Sequence, residues 1–454
     1  MAILLLHNDQ PSVEHLKKAA HESVVFSTTY ITRQWDCIIR WGNSEGPEGS
    51  GFELNTASAL KRLYSRTEAA KCLSVNKIPF RSRSASADSA PPTVSYRIHI
   101  VDMEPIAVTS QEGGKFKTVS NLTSPKVDRA IRLARRVLYS LGLHFGRVDL
   151  YQERKKTLKV LTVSAAPRIT KKLAVLYMDA FVKALERRRQ SHSVDPDDVV
   201  LGADPEFMMI SPATKRVIFA SDFFPKEGLI GYDSQSYFRD RRNYPIAEIR
   251  PRPNTSPAQL VREIKEALAA AAQKTHNVNS IWLAGSSPYK GYTTGGHIHF
   301  TGVPLTTDLI RTLDNYLAIP CMLIEHPVRA STRRPKYGFI GDVRTKPHGG
   351  FEYRVPASWL VSRRVAEGVL HLAKLVVIEH KNLTMNLLGT TDAVSDFYKA
   401  RKDRFRPHID KLWADIERTP YYQTHRKQIR VIKRLIDSKK IWRDRSDIRK
   451  NWGV

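Results

Sequence analysis

The stretch Gly295-Gly296-His297-Ile298-His299-Phe300 decides how the rest of the chain is read. Its glycines allow a close backbone approach or a strained turn. The β-prone run that follows puts His297 and His299 on one side of a strand, and Ile298 and Phe300 on the other. A lone histidine is more often a satisfied core residue. Two of them, alternating behind Gly-Gly, suggest one imidazole for a metal and one for substrate or phosphate.

Four more pieces between residues 202 and 354 follow the same alternation. Gly202-Ala-Asp204-Pro205-Glu206-Phe carries two acids two residues apart, which lets both face one metal cluster. In Ile246-Ala-Glu248-Ile-Arg250, Glu248 and Arg250 share a face opposite Ala247 and Ile249. Arg344 stands alone, and Phe351-Glu352-Tyr-Arg354 follows Gly349-Gly350. Plainer readings exist for each: an Asp-Pro turn, a surface ion pair of little worth, or an exposed basic loop at Arg333 and Arg334. As a set, carboxylates and imidazoles on one sheet face call for a divalent cation. The arginines around them, Arg329, Arg333, Arg334, Arg344 and Arg354, suit a phosphate chain.

At 454 residues the chain is long enough for two or three domains, and 41% hydrophobic content supports real cores. No run approaches a membrane span, and Met1-Ala-Ile-Leu-Leu-Leu-His7 reads as a first strand rather than a signal peptide. Cys37, Cys72 and Cys321 have no metal spacing, which fits a reducing cytoplasm. The net charge of +28 favours polyanionic partners such as nucleic acid, or else marks a solvated basic surface.

Three domains are expected: 1–190, with strands at Arg97–Val101 and Lys159–Val163 and helices near 126–142 and 170–189; 197–395; and a basic helical extension, 396–454. Arg188–Asp198 reads as a linker and Ser82–Pro92 as a mobile loop. Ser256-Pro257-Ala-Gln259 opens a helix to Lys274 with an N-cap, a proline at the first position and a capping-box Gln. Arg363–His380 has helical apolar spacing, and Phe397, Phe405, Ile409, Leu412 and Trp413 form an apolar stripe in the tail.

The ordered set over residues 197–454 resembles the phage-type carboxylate–amine ligases, COOH-NH2 ligase type 2, relatives of glutamine synthetase and glutamate–cysteine ligase. The resemblance implies an α+β fold, with a glutamine-synthetase-like antiparallel sheet and helices. It implies ATP-dependent amide formation through an acyl phosphate, with two or three Mg2+ ions or Mn2+ in their place. Asp204, Glu206, Glu248, His297 and Glu352 would hold metal. Arg250, Arg334, Arg344 and Arg354 would bind nucleotide phosphates. His299 and Arg344 would act at the acyl group, and Asp204 or Asp233 would accept the amine's proton. Pro205, inside the acidic pair, departs from the family pattern.

Residues 134–168 resemble the end of an ATP-grasp domain: a helix, Leu141-Gly142, a strand with Asp149, then Val160-Leu-Thr162-Val-Ser164 before Pro167. Thr162 and Ser164 stand where that family has metal-binding Glu and Asn. The resemblance therefore implies a degenerate ATP-grasp-like α/β domain without catalysis. The implied partners are a carboxylate and an amine, small molecule or peptide, in the cytoplasm of a bacterial host, with no membrane. The competing reading is a basic nucleic-acid-binding or virion-associated protein reusing a ligase scaffold.

Overall fold

A computed structural model of the chain describes residues 2–48, 51–81, 93–152, 157–346 and 349–454. The chain divides into two compact units, Met1–Arg189 and Gln190–Val454.

In the first unit, Ile3–His7 is buried at every position and pairs in parallel on both sides, with Val24–Ser27 and Cys37–Trp41; Phe52–Leu54 completes a four-stranded sheet. A strand covered on both faces reads as an unbroken apolar run, which is what Ile-Leu-Leu-Leu supplies. A second, antiparallel sheet runs in the order Lys115–Thr118, Glu104–Glu112, Tyr96–Val101, Phe145–Gln152, Leu158–Ser164. The helix Pro125–Leu141 stops at Gly142, whose left-handed backbone lets its N–H reach the carbonyls of Leu138 and Tyr139. The helix Lys171–His192 runs through Arg188–Ser191, so the expected linker is helical over its first half. The expected loop at Ser82–Pro92 lies outside the described residues.

The second unit is built on an antiparallel sheet, eight-stranded among the described residues. Its main path is Ile230–Tyr232, Ile246–Ile249, Val200–Ile210, Gly296–Thr301, Phe351–Tyr353 and Val343–Thr345; Val217–Ile218 and Ile281–Leu283 also pair with Val200–Ile210. Alternation sorts its side chains. Phe207, Ala247, Ile249, Ile298, Phe300, Phe351 and Tyr353 are fully buried. Each large apolar side chain among them contributes about 1.5–3 kcal/mol by leaving water. The rings of Phe300 and Phe351 meet at 5.3 Å and those of Phe207 and Trp282 at 4.6 Å. The intervening residues are the acids and histidines of the other face.

Ser256 caps the helix Pro257–Lys274 by accepting the Gln259 N–H. The capping box is not closed: the Gln259 side chain turns to Arg262 and Glu263, and Asn254 Oδ1 takes the Ser256 N–H. Arg363–Glu379 is helical and packs against Pro420–Asp437. Residues 396–454 therefore do not stand apart as an extension. Phe397, Phe405, Ile409, Leu412 and Trp413 are buried, and Trp452 Nε1 donates to Leu360 O. No helix among the described residues is long and apolar enough to cross a membrane.

Candidate active site

Antiparallel register gathers the site from residues far apart in sequence. Glu206 pairs with Glu248, Asp204 with His297, Gly202 with His299, His299 with Glu352, and Glu352 with Arg344. Directly opposed residues share a face, so four carboxylates and two imidazoles collect on one side of the sheet. Two glycines make room for them. A Cβ on Gly202 would press His299 Cβ at 3.3 Å and its ring Nδ1 at 3.4 Å, and one on Gly296 would strike Ala357 O at 2.5 Å and Trp359 Cδ1 at 2.6 Å. The Gly296 strand can thus lie close enough for its carbonyl to accept from Trp359 Nε1 at 3.0 Å.

His297 Nδ1 lies 3.2 Å from Asp204 Oδ1 and 3.5 Å from Glu352 Oε1, and His299 Nε2 lies 3.1 Å from Asp204 Oδ2. One ligand atom each from Asp204, His297 and Glu352 falls within 4.8 Å of the others. Asp204 Oδ1, His299 Nε2 and Glu352 Oε2 are buried without an aligned hydrogen bond, although charged neighbours stand close. Such atoms are costly unless something else satisfies them. The donor set, hard oxygens with one imidazole, fits a divalent cation of the Mg2+ or Mn2+ type.

Electrostatics agrees with the geometry. Burial, then Asp233, with Glu248 and Asp204 adding, raises Glu206 well above the usual carboxylate range against the Gly295 N–H that donates to it at 2.7 Å. Burial and Asp204 push Glu248 up to about 8 despite Arg250. Burial also opposes ionisation of Asp204, but His297 and His299 outweigh it and hold that acid well below its ordinary value. Glu352 is lowered as well: Arg354, His297 and Lys346 overcome burial and Asp204. Carboxylates crowded enough to raise one another are stabilised by a bound cation.

A basic rim surrounds the acids. Arg354 Nη1 reaches Glu352 Oε1 at 2.5 Å with its Nε 3.7 Å from Asp342; Lys346 Nζ lies 2.7 Å and Arg344 Nη1 3.5 Å from Glu352 Oε2. Arg250 pairs with Glu248 and also donates to Lys226 O. Asp233 lines a cavity of about 60 Å³ with Glu206, His297, Tyr337, Asp342 and Arg354. That volume suits an ion and its water, and a nucleotide would have to lie over the open face.

Three of the arginines singled out in sequence spend their guanidiniums on the protein itself, although Arg333 also lines that cavity. Arg334 is fully buried, with its two Nη atoms on Glu325 at 2.9 and 2.6 Å, and does not join the cluster. Arg333 donates to the carbonyls of Val355 at 2.7 Å and Pro356 at 3.0 Å, bracing the chain after Arg354. Arg329 pairs with Asp444. Lys346 and Asp342 are part of the site and were not singled out. Lys346 was within reach of the pattern, two residues after Arg344 on the same face.

The family model described as phage phiEco32-like COOH.NH2 ligase-type 2 matches residues 201–454, which hold every residue of this site. The chain belongs to that family. By class it is an ATP-dependent carbon–nitrogen ligase. No curated protein matches the sequence. Solved structures that match include the following three. A RimK-domain ATP-grasp protein from Sphaerobacter thermophilus is 12% identical, over 40% of this chain and 98% of that one, with a TM-score of 0.30. The macrocyclase MdnC from Microcystis aeruginosa, bound with the precursor peptide MdnA, is 9% identical over 40% and 100%, with a TM-score of 0.29. The D-alanine–D-alanine ligase of Bacillus anthracis, complexed with ATP, is 8% identical over 41% and 97%, with a TM-score of 0.30. At those scores the likenesses carry no argument about this ligase.

Proposed function

We propose that this ligase forms an amide bond through an acyl phosphate on the carboxylate face of its second unit, in the manner of glutamine synthetase. The observation that supports this most is the Asp204–His297–Glu352 cluster, with buried unaligned ligand atoms ringed by Arg344, Lys346 and Arg354. Asp204, Glu206, Glu248, His297 and Glu352 would hold two or three Mg2+ ions, or Mn2+ in their place. Bound there, such ions supply charge neutralisation for a polyphosphate.

The remaining work falls to the chain's own side chains. Arg344, Lys346 and Arg354 face phosphate oxygens and stabilise charge as the γ-phosphoryl group of ATP passes to the substrate carboxylate, a step that is mostly positional and electrostatic. His299 sits beside the activated acyl group. The amine attacks the acyl carbon, the carbon–oxygen bond to phosphate breaks, and Asp233 or Asp204 takes the amine's proton. Arg250 reaches phosphate only if it leaves Glu248, and Arg334 has no part. Residues 1–190 fit a degenerate ATP-grasp-like domain, because Thr162 donates to Asp149 at 2.9 Å in place of a metal ligand. A small-molecule or peptide substrate, chosen by the segment Phe224–Asn243, whose Tyr232 ends the edge strand Ile230–Tyr232 and whose Tyr237 and arginines follow it, and a phage-infected bacterial cytoplasm complete the reading. The alternative, a basic nucleic-acid-binding or virion-associated protein reusing a ligase scaffold, rests on the +28 charge and the degenerate first domain.

The test is phosphate release from ATP with pooled carboxylates and amines, with mass spectrometry of the products. A condensed product that requires ATP and Mg2+ supports the assignment. Equal, full activity in Glu352→Gln and His297→Ala would overturn it.

A further inference from the structure

The second unit holds another cavity, of about 560 Å³, that shares no residue with the carboxylate face. Its wall is formed by the helices Arg363–Glu379 and Pro420–Asp437 and by the first turn of Pro257–Lys274. His371 and Lys374, one helical turn apart, line it at 2% and 4% exposure. Lys374 Nζ donates to Thr255 O at 2.6 Å, which leaves further N–H groups of the ammonium. His371 Nδ1 lies 3.3 Å from Tyr421 Oη, and His371 Nε2 is buried with no hydrogen-bond partner. The His425 ring covers the pair, 4.7 Å from that of His371 and 4.3 Å from that of Tyr421, at the point where Pro420–Asp437 departs from helical geometry.

The Lys374 ammonium is a donor, and the Tyr421 hydroxyl sets which nitrogen of His371 is one. Burial raises the Tyr421 phenol, so its hydroxyl keeps its proton and can donate to His371 Nδ1. The imidazole then carries its own proton on Nε2, the atom without an acceptor. Ala258, in the same wall, supplies the N–H that the first helical turn leaves over, at the positive end of the helix dipole: Pro257 has none, and those of Gln259 and Leu260 go to Ser256. Two acids also line the cavity. Glu379 accepts from Asn382 at 3.1 Å, and Asp197 is exposed. They disfavour a highly charged ligand.

We propose that this cavity is a second binding site, for a small oxyanion: the phosphate or carboxylate group of a small metabolite, held by Lys374, His371 Nε2 and the first turn after Ser256. It is independent of the ligase reading, since none of these residues takes part in that site.

The experiment is NMR of the full chain with 15N-labelled imidazoles, titrated with inorganic phosphate and, separately, with acetate. A saturable shift at His371 Nε2, echoed at His425, is the expected result. Response to phosphate alone identifies a phosphoryl ligand, and response to acetate alone a carboxylate. Lys374→Met should weaken the response by about tenfold or more. Because a buried lysine can matter for folding, Thr424→Glu serves as a second variant: it adds a negative charge at an exposed lining position and should abolish the response in a folded protein. The proposal falls if neither anion gives a saturable shift, if only His297 and His299 respond, or if the His371 response survives Thr424→Glu.

Discussion

Asp149 in the first unit and Asp204 in the second come from the same kind of sequence, an acid on a β-strand facing polar residues across the sheet, and they end in opposite situations. Asp149 is buried and matched: Arg97 Nε stands at 3.2 Å, Arg147 Nη2 at 3.3 Å, and Thr162 Oγ1 donates at 2.9 Å. Two guanidiniums and a hydroxyl leave one carboxylate with nothing further to bind. Asp204 faces two imidazoles beside a second carboxylate, Glu352, and keeps a buried oxygen without an aligned hydrogen bond. A strand acid marks a site when the local charge is left unbalanced. The same acid surrounded by enough cations is structure.

The largest effect that separates the two is expected at Glu352. Glu352→Gln keeps the shape and removes the charge shared by His297, Arg344, Lys346 and Arg354. Steady-state turnover should fall by about 10²–10³-fold, the range for losing a key electrostatic group, while the denaturation midpoint moves little. A loss of less than about tenfold would place the chemistry elsewhere.

Acid should strike both units alike. Burial, helped by Arg147 and Arg97, lowers His99 to about 3, and burial, helped by His425 and Lys374, does the same to His371. An unfolded histidine titrates near 6.5. The folded state therefore binds fewer protons between those values. The contribution to stability is full above about pH 6.5 and is lost as the pH falls toward 3. At about pH 5 each histidine should remove about 2 kcal/mol, read as a falling urea midpoint. His99→Gln should flatten that fall by one histidine's share and no more.

Asp149→Ala should show the reverse of Glu352→Gln. It leaves Arg97, Arg147 and Thr162 without their acceptor, at a cost of about 1.5–3 kcal/mol in stability. Turnover should stay within about tenfold, or roughly 1.4 kcal/mol of barrier. A folded Asp149→Ala protein with collapsed turnover would make the first unit part of the active site.

Period-two alternation is local, so the acid and histidine face of the sheet could be read from five short pieces of sequence. Which residues oppose one another could not, because the register joins Asp204 to a histidine 93 positions away. The arginines show the limit best. Arg334 and Arg354 look alike as sequence, yet Arg334 meets a buried acid, Glu325, that no strand pattern announced. The tail misled for a related reason. Its basic residues are conspicuous in sequence, and its buried stripe, through Trp413 and Trp452, is what ties it into the second unit. The second cavity depends on His371 and His425, 54 residues apart on two helices, and had no local signal.

The smallest effect concerns the charge excess itself. Lys433 lies between Asp410 at 3.0 Å and Asp437 at 2.6 Å and is matched much as Asp149 is. Arg434, Lys439 and Lys440 are exposed. If the +28 charge is a docking surface for a polyanion, replacing these three with glutamine should weaken DNA or RNA binding and flatten its dependence on salt, by about 0.9 in log–log slope per lost phosphate contact on duplex DNA. Lys433→Gln should change that slope less, because its charge is already offset by two acids. Turnover on small substrates should not move in either variant, since none of the four residues touches the carboxylate face. Equal slopes for all variants and the wild type would make the basic surface a solvated one, and the unbalanced charge that matters would be confined to the sheet face around Asp204.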